Sequence, residues 1–243
     1  MGELADYFRS NTGRLISKWE HYFEIYERHF APYRGRPVRV AEIGIWHGGS
    51  LQMWRQYFGP QARIVGVDFN PECAALAEPG IEIEIGDQAD PALHRRLRSR
   101  YGSFDIVIDD GGHMMNQQTT TFLELYPAVA PGGLYVAEDL HTSYFEHWGG
   151  GLRRPGTFVE YAKLLIDQLH AWHTRTPRRL SVSDFTRSAH SLHYYDSVLV
   201  VEKRPMQPPT DHVTGQTLFA DYAVPPRGVV ERVQRLLKRA RGK

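Results

Sequence analysis

Hydrophobic and polar positions alternate along this chain as strands and helices do in α/β proteins. Short segments of strand length, rich in apolar residues, occur at 38–45, 64–68, 81–85, 104–109 and 134–137. Segments with helical periodicity lie between them, at 50–58, 71–77, 91–101 and 116–129. This alternation predicts a mostly parallel sheet that carries helices on both faces.

The residues that flank this alternation predict additional elements. Apolar residues at spacings of three and four over 4–30, Leu15 and Trp19 among them, predict an amphipathic helix or a pair of helices. After a long helix at 157–172, the runs 180–185 and 192–201 predict two closing strands, antiparallel to each other. The proline-rich stretch after residue 203 predicts an extended arm that ends in a short basic helix. We therefore expect three segments, which are a helical cap over 1–36, an α/β domain over 37–203, and the arm with its helix over 204–243.

Composition and charge narrow the class of protein. The 243 residues include 29 Lys and Arg against 28 Asp and Glu, so no global field attracts nucleic acid. A single cysteine, Cys73, cannot form an internal disulfide and fits a reducing compartment. No apolar run approaches the ~20 residues of a membrane helix, and the first thirty residues lack a signal-peptide core. We expect a cytoplasmic protein with no nucleic-acid partner and no transmembrane segment.

Residues that can bind a nucleotide-like cofactor follow the first three predicted strands. Gly44 and Gly48 lie in the first strand-to-helix turn, where a missing Cβ lets ligand atoms approach the backbone. Asp68 ends the second strand, where an acid can accept both hydrogen bonds of a ribose diol. Asp87 and Gln88 follow the third strand. The alternative is that these are ordinary turn residues.

A dinucleotide fingerprint fits this turn less well. Its second glycine would have to stand at Trp46. Glu42 lies inside the first strand, where a buried carboxylate is costly unless it meets a specific cation or hydroxyl.

Acidic residues follow two further strands. Asp109 and Asp110 end the strand at 104–109, and Glu138 and Asp139 follow the strand at 134–137. Neighbouring strands lie about 4.8 Å apart, so four carboxylates would meet at one edge of the sheet. Such crowded charges need a cation, and oxygen ligands without cysteine favour Mg²⁺. The alternative is a solvated turn followed by a helix cap.

A cation at this edge would activate a hydroxyl, because a divalent ion lowers the pKa of an oxygen that it binds. A base must then take the proton. His113, three residues after Asp110, is the first candidate, and His141, two residues after Asp139, is the second.

The segment 143–154 predicts a loop that contacts an acceptor. Aromatic faces stack on sugar rings, arginines donate to hydroxyls, and three glycines allow the loop to close. The candidate residues are Tyr144, Trp148, Arg153 and Arg154. A loop packed on its own aromatic side chains is an equal alternative.

Together these motifs resemble the class I S-adenosylmethionine-dependent methyltransferases. More specifically, EIGIWHGGS at 42–50, GDQ at 86–88, IDDGGH at 108–113, PGG at 131–133 and EDLHTSY at 138–144 resemble metal-dependent sugar O-methyltransferases. That branch includes macrolide deoxysugar O-methyltransferases and methylmannose-polysaccharide 1-O-methyltransferases. The resemblance implies a doubly wound, mostly parallel, seven-stranded Rossmann-like sheet with an N-terminal helical cap.

The resemblance also implies roles for individual residues. The metal role passes to Asp110, Glu138 and Asp139, and the role of the base passes to His113. The residues expected to bind S-adenosylmethionine are Glu42, Gly44, Gly48, Ser50, Asp68, Asp87, Gln88 and Asp109.

The expected function is Mg²⁺-dependent transfer of the methyl group of S-adenosylmethionine to a sugar hydroxyl. Only about forty residues precede the glycine turn, whereas the macrolide enzymes usually carry a further N-terminal domain. This favours an oligosaccharide or a methylmannose-type polysaccharide precursor as the acceptor. The alternatives are a glycosylated or non-sugar secondary metabolite, or a non-catalytic nucleotide-sensing regulator. We also expect a homo-oligomer, most simply a dimer.

Overall fold

A computed structural model describes residues 2–219 of the chain. The strands are β1 (Arg39–Ile43), β2 (Arg63–Asp68), β3 (Ile81–Ile85), β4 (Phe104–Asp109), β5 (Val129–Ala137), β6 (Ala189–Tyr195) and β7 (Val198–Lys203). The α-helices are α1 (Glu3–Ser10), α2 (Tyr22–Phe30), α3 (Gly49–Phe58), α4 (Pro91–Tyr101), α5 (Met115–Leu125) and α6 (Phe158–Leu169). Short 3₁₀ turns include 71–76, 140–144 and 146–148.

The seven strands form one sheet in the order β3-β2-β1-β4-β5-β7-β6. The pairs from β3 to β5 are parallel, and β7 is antiparallel to both of its neighbours. The strand order reverses between β1 and β4, and open α/β sheets bind ligands beyond the carboxyl ends of the strands at this point. The predicted mostly parallel seven-stranded sheet is confirmed.

Two apolar layers cover the sheet because side chains alternate between its faces. Ile106 and Ile108 of β4 join the layer that contains α1, α2 and α3, whereas Val107 faces the layer of α4, α5 and α6. Trp54 of α3 and Phe158 of α6 are each fully buried, one in each layer. Burial of such side chains contributes about 1.5 to 3 kcal/mol each to the free energy of folding. The two layers therefore fix the positions of the strands whose carboxyl ends carry the candidate site residues.

The N-terminal segment forms two helices rather than one continuous helix. Residues 11–21 between α1 and α2 are not helical, so the expectation that Leu15 and Trp19 lie on a helix face is wrong, and each is 56% exposed. Asn11 explains the break, because its side chain accepts from Gly13 N and donates to the carbonyl of Arg14. Such local bonds compete with helix formation.

Both closing strands come from the second predicted run. Residues 180–185 form no strand, because the hydroxyls of Ser183 and Thr186 accept from each other's backbone N–H groups and make a turn. The chain reverses after Tyr195, where Ser197 adopts a left-handed conformation (φ +64°). Residues 189–203 thus form a hairpin, and this corrects the predicted strands at 180–185 and 192–201.

Several predicted helix bounds were also wrong. The segment predicted as a helix over 71–77 is a 3₁₀ turn at 71–76, and the helix predicted to reach residue 129 ends at Leu125, shortly before Pro127. The helix predicted over 157–172 begins at Phe158, with Thr157 as its N-cap, and ends at Leu169.

Residues up to Pro208 form one compact unit. A second unit begins at Pro209, and its described residues, 209–219, contain neither helix nor strand. The predicted basic helix lies outside the described residues, and the three predicted domain bounds stay predictions. Within residues 2–219, no helix combines the length and the hydropathy that a membrane span requires.

Candidate active site

A cleft of about 1080 Å³ opens at the carboxyl ends of β1 to β4. Residues at the ends of these strands and in the loops after them line it, and they include Gly44, Asp68, Asp87, Gln88, Asp110 and His113. The cleft therefore connects the predicted cofactor turn with the predicted acidic edge.

The glycine turn after β1 packs directly on the loop after β4. Gly44 has a φ of +84°, and a Cβ at this position would lie 2.2 Å from the carbonyl oxygen of Asp110 and 2.5 Å from the Cα of Gly111. Gly48 also has a positive φ, +74°, at the residue before α3. Both positions need glycine, and Gly44 needs it for the close approach as well as for its backbone angle.

Asp68 holds the glycine turn in place. Its Oδ2 accepts from the backbone N–H groups of Ile45 at 3.0 Å and Trp46 at 3.2 Å, and its Oδ1 accepts from Asn70 N at 3.0 Å. The carboxylate is partly exposed and lines the cleft. Since a carboxylate offers about four acceptor positions, it can still bind a ligand hydroxyl.

Two of the predicted cofactor residues lie below the cleft rather than in it. Glu42 is fully buried, and its Oε2 accepts from Ser50 Oγ at 2.7 Å. Asp109 is also fully buried and accepts from Gln88 Nε2 at 2.5 Å and from the Tyr135 hydroxyl at 3.1 Å. Burial raises the pKa of Asp109 to about 7, although both hydrogen bonds oppose this shift.

Three other residues that were predicted to bind the cofactor do line the cleft, namely Ser50, Asp87 and Gln88. Asp87 is exposed and accepts from Ala89 N at 2.8 Å. The Gln88 side chain accepts from Gly112 N at 3.0 Å, so it links the end of β3 to the loop after β4.

Asp110, His113 and Asp139 meet at the acidic end of the cleft. One ligand atom from each lies within 4.8 Å of the others. His113 Nε2 is 3.2 Å from Asp139 Oδ2 and 3.9 Å from Asp110 Oδ1. Burial lowers the pKa of His113 more than Asp139 raises it, so the imidazole is neutral near pH 7. Two carboxylates and an imidazole are a donor set that can bind a divalent ion.

The structure places Glu138 differently from the other two predicted metal ligands. Its side chain is fully buried, Oε1 accepts from the Tyr26 hydroxyl at 2.7 Å, and Oε2 accepts from Lys18 Nζ at 2.9 Å. Burial raises the pKa of Glu138, and Lys18 opposes this shift. Both oxygens of Glu138 are therefore engaged, and Glu138 does not line the cleft.

Lys18 is the centre of the acidic cluster. Its ammonium lies 2.5 Å from Asp110 Oδ2, 2.9 Å from Glu138 Oε2 and 3.5 Å from Glu42 Oε1. Its side chain is 2% exposed. Burial lowers the pKa of Lys18, but the carboxylates of Asp110 and Glu138 outweigh it and leave the pKa well above its usual value.

Sequence reasoning missed this lysine and the tyrosines of α2. The Tyr22 hydroxyl donates to Asp139 Oδ1 at 2.7 Å, and Tyr26 donates to Glu138. The only local signal was helical spacing, which predicts core packing and says nothing about contacts across more than 90 positions.

The second candidate base and the predicted acceptor loop lie off the lining of the cleft. His141 Nδ1 contacts Ser197 Oγ, and the ring packs edge-on against Trp19. In the loop, Arg154 donates to the carbonyl of Gly150, and Trp148 packs on the apolar layer that contains α6.

The outer residues of that loop, Tyr144 and Arg153, are exposed. Leu15, Ile16 and Ser17, from the segment between α1 and α2, line the cleft instead. The acceptor roles of the loop side chains stay predictions.

A second group with metal-ligating side chains, His29, His193 and Glu202, lies away from the cleft lining. Hydrogen bonds within the protein account for it: His29 Nε2 is 2.8 Å from the Tyr195 hydroxyl, and His193 Nε2 is 3.1 Å from Glu202 Oε1.

Comparison with known proteins identifies the family. Residues 41–140 match the family model described as a methyltransferase domain. The chain is 42% identical over 213 residues to 8-demethyl-8-(2-methoxy-alpha-L-rhamnosyl)-tetracenomycin-C 3'-O-methyltransferase from Streptomyces olivaceus, covering 84% of this chain and 53% of that protein. The chain belongs to the class I methyltransferases. Mycinamicin VI 2''-O-methyltransferase from Micromonospora griseorubida is similar to this chain at 40% identity over 215 residues, which is 84% of this chain and 52% of that protein.

A solved structure extends the similarity to the fold. The MycE methyltransferase from the mycinamycin biosynthetic pathway, in complex with Mg, SAH and mycinamycin VI, superposes with a TM-score of 0.74 at 34% identity. The match covers 96% of this chain and 58% of MycE. The chain thus spans about half the length of the curated relatives that it matches.

Proposed function

We propose that this methyltransferase transfers the methyl group of S-adenosylmethionine to a sugar hydroxyl, with Mg²⁺ at the acidic end of the cleft. One observation carries the proposal: a single cleft runs from the Gly44 and Asp68 turn to Asp110, His113 and Asp139. A volume of about 1080 Å³ is at the upper end for ligand sites and accommodates a donor and an acceptor together.

The residues at the β1 and β2 ends fit the donor. Asp68 keeps acceptor capacity toward the cleft after binding three backbone N–H groups, and Asp87 is exposed beside it. Because Gly44 has no side chain, the glycine turn after β1 can pack directly on the loop after β4. The MycE structure was solved in complex with SAH, which supports S-adenosylmethionine as the donor.

The residues at the β4 and β5 ends fit the metal. Asp110 and Asp139 offer oxygen donors toward the cleft, and Tyr22 orients Asp139 through its hydrogen bond. When bound, Mg²⁺ lowers the pKa of the acceptor hydroxyl. Glu138, the third ligand expected from the resemblance, would have to give up its contact with Lys18 to join them.

His113 fits the role of the base. Its Nε2 is the nitrogen that faces the two carboxylates, whereas Nδ1 is buried and has no hydrogen-bond partner among residues 2–219. A hydroxyl beside Asp110 and Asp139 can reach only Nε2, and we assign the proton transfer to that atom. The lowered pKa keeps the imidazole unprotonated and ready to accept the proton.

The acceptor proposal follows the relatives. As their names state, one relative acts on a rhamnosylated tetracenomycin and another on mycinamicin VI. These names favour a sugar on a small natural product over the oligosaccharide or methylmannose-type precursor expected from the sequence. The dimer expected from the sequence stays a prediction.

One assay separates these acceptors. The protein is incubated with methyl-labelled S-adenosylmethionine, Mg²⁺ and three acceptor sets: glycosylated polyketides, free oligosaccharides, and phenols. Label on the sugar of a glycosylated polyketide is the expected result, and label on phenols alone would contradict the sugar assignment. The alternative of a nucleotide-sensing regulator expects donor binding without transfer to any acceptor.

A further inference from the structure

The Lys18 ammonium lies where a single cation can contact acids from three strands. Glu42 comes from β1, Asp110 follows β4, and Glu138 follows β5. Asp110 is shared between this group and the group with His113 and Asp139. Lys18 and a divalent ion would therefore both contact the carboxylate of Asp110.

Lys18 also separates the deeper acids from the cleft. Lys18 and Asp110 line the cleft, whereas Glu42 and Glu138 do not and are fully buried. Oε1 of Glu42 has no hydrogen-bond partner among the described residues, and Lys18, 3.5 Å away, is its ionic neighbour. Removing the ammonium would leave the buried carboxylate charges uncompensated, and such charges destabilise the folded protein. The cluster of Glu42, Asp110 and Glu138 therefore requires a neighbouring cation, which is either the ammonium or a metal ion.

The lysine sits on a segment that is tied to the body at both ends. Arg14 donates to the carbonyl of Leu76 at 3.0 Å and pairs with Glu78 at 3.3 Å. His21 Nε2 lies 3.1 Å from the carbonyl oxygen of Asp196. Between these two anchors, Ile16 and Ser17 form part of the cleft wall. A movement of Lys18 would thus also move the wall of the cleft.

We propose that Lys18 is a tethered cation that holds Asp110 and Glu138 in the metal-free protein and competes with the divalent ion for them. The inference rests on the proposed function, because it requires a metal site at Asp110. Binding of Mg²⁺ displaces the ammonium from Asp110 and frees Glu138 to face the ion. Lys18 then lowers the affinity for Mg²⁺ and couples metal binding to the position of residues 11–21.

The test compares Mg²⁺ binding by calorimetry in the wild type and in Lys18→Met, which keeps the length of the side chain without its charge. We expect Lys18→Met to bind Mg²⁺ at least about tenfold more tightly, because the competitor is gone. Lys163→Met is the matched control, since Lys163 is half-exposed on α6 and pairs with Glu160. The control variant should bind Mg²⁺ as the wild type does. Equal or weaker binding by Lys18→Met would overturn the inference.

A measurement on the wild type covers the case in which Lys18→Met does not fold. Hydrogen exchange is followed with and without Mg²⁺, and we expect the ion to speed exchange within residues 11–21 and to leave β1 unchanged. Unchanged or slower exchange in that segment contradicts displacement of the lysine.

Asp110→Asn distinguishes this inference from the proposed function. Loss of Mg²⁺ binding in Asp110→Asn, together with unchanged affinity in Lys18→Met, refutes only the role of Lys18. Mg²⁺ binding that survives Asp110→Asn refutes the proposed metal site and this inference together. Methyl transfer by the wild type at saturating Mg²⁺ tests the reaction separately from both.

Discussion

The imidazole Nε2 of His113 lies 3.2 Å from Oδ2 of Asp139, and both residues adopt left-handed backbone conformations, with φ of +57° and +53°. Such conformations cost on the order of 1 kcal/mol or more each for residues other than glycine. The loops after β4 and β5 therefore carry strain at the two residues that bring the imidazole to the carboxylate. Strain concentrated in this way is common at functional sites.

Replacing His113 by alanine should slow methyl transfer by roughly 10²- to 10⁴-fold, because the variant lacks the general base that accepts the proton of the acceptor hydroxyl. The affinity for S-adenosylmethionine should stay within about twofold, since His113 lies at the acidic end of the cleft. Single-turnover rates and donor titration measure the two effects. His141→Ala is the control and should transfer normally, because His141 is turned toward Ser197. The reverse pattern, a slow His141→Ala and a normal His113→Ala, would reassign the base to His141.

Asp139→Asn should abolish both the response to Mg²⁺ and most of the methyl transfer. The substitution removes the negative charge but keeps an oxygen that can accept from Tyr22, so the fold should persist. Chelation of the wild type should have the same effect on transfer. Asp184→Asn, at a fully exposed aspartate, is the control and should change neither. Transfer that continues after chelation would show that the acids are structural.

Gly44→Ala should destabilise the protein far more than Gly132→Ala. The two glycines have nearly equal positive φ, +84° and +83°, so both variants carry a backbone cost of about 1 kcal/mol. Only at Gly44 would the new Cβ meet backbone atoms, whereas no atom lies within 4 Å at Gly132. We expect a total loss of about 3 kcal/mol or more for Gly44→Ala in urea unfolding. Equal losses in the two variants would contradict the close approach.

Stability should fall as the pH drops from about 6.5 to about 4, in part because of His29. Burial, and then the nearby His193, lower the pKa of His29 from 6.5 to about 4. In this pH window His29 is protonated in the unfolded chain but not in the folded protein. Lowering the pH therefore favours unfolding.

The wild type should lose free energy of unfolding between pH 7 and pH 4.5, and in His29→Gln this loss should be smaller by about 1 to 3 kcal/mol. The glutamine amide can still bond with the hydroxyl of Tyr195. Urea unfolding of both proteins at the two pH values measures the difference. A difference in stability that is the same at both pH values would exclude this contribution.

The sheet could be predicted because its signals are local. Each of the first four strands is a short segment rich in apolar residues, and acids and glycines follow the strands where the cleft lies. The fifth strand was predicted only over 134–137, whereas β5 begins at Val129 and includes the Pro131-Gly132-Gly133 stretch. The expectation that Glu42 would need a specific cation or hydroxyl agrees with its contacts to Ser50 and Lys18.

The closing hairpin and the segment 11–21 could not be predicted in this way. Their apolar residues fit more than one period, and turns made by Asn11 and by Ser183 with Thr186 decide the outcome. Lys18 reaches Asp110 and Glu138 across 92 and 120 positions, and no short-range pattern reports such contacts.

The contact of Gly44 with the backbone of Asp110 limits how the two halves of the site can diverge. Main-chain atoms rather than side chains set the spacing between the glycine turn after β1 and the loop after β4, and Asp110 N also donates to the carbonyl of Ile43 at 2.9 Å. Side-chain replacement during evolution cannot lengthen or shorten that gap. If the proposed function holds, a change of acceptor therefore requires changes in the outer walls of the cleft, while the distance between Gly44 and Asp110 stays fixed.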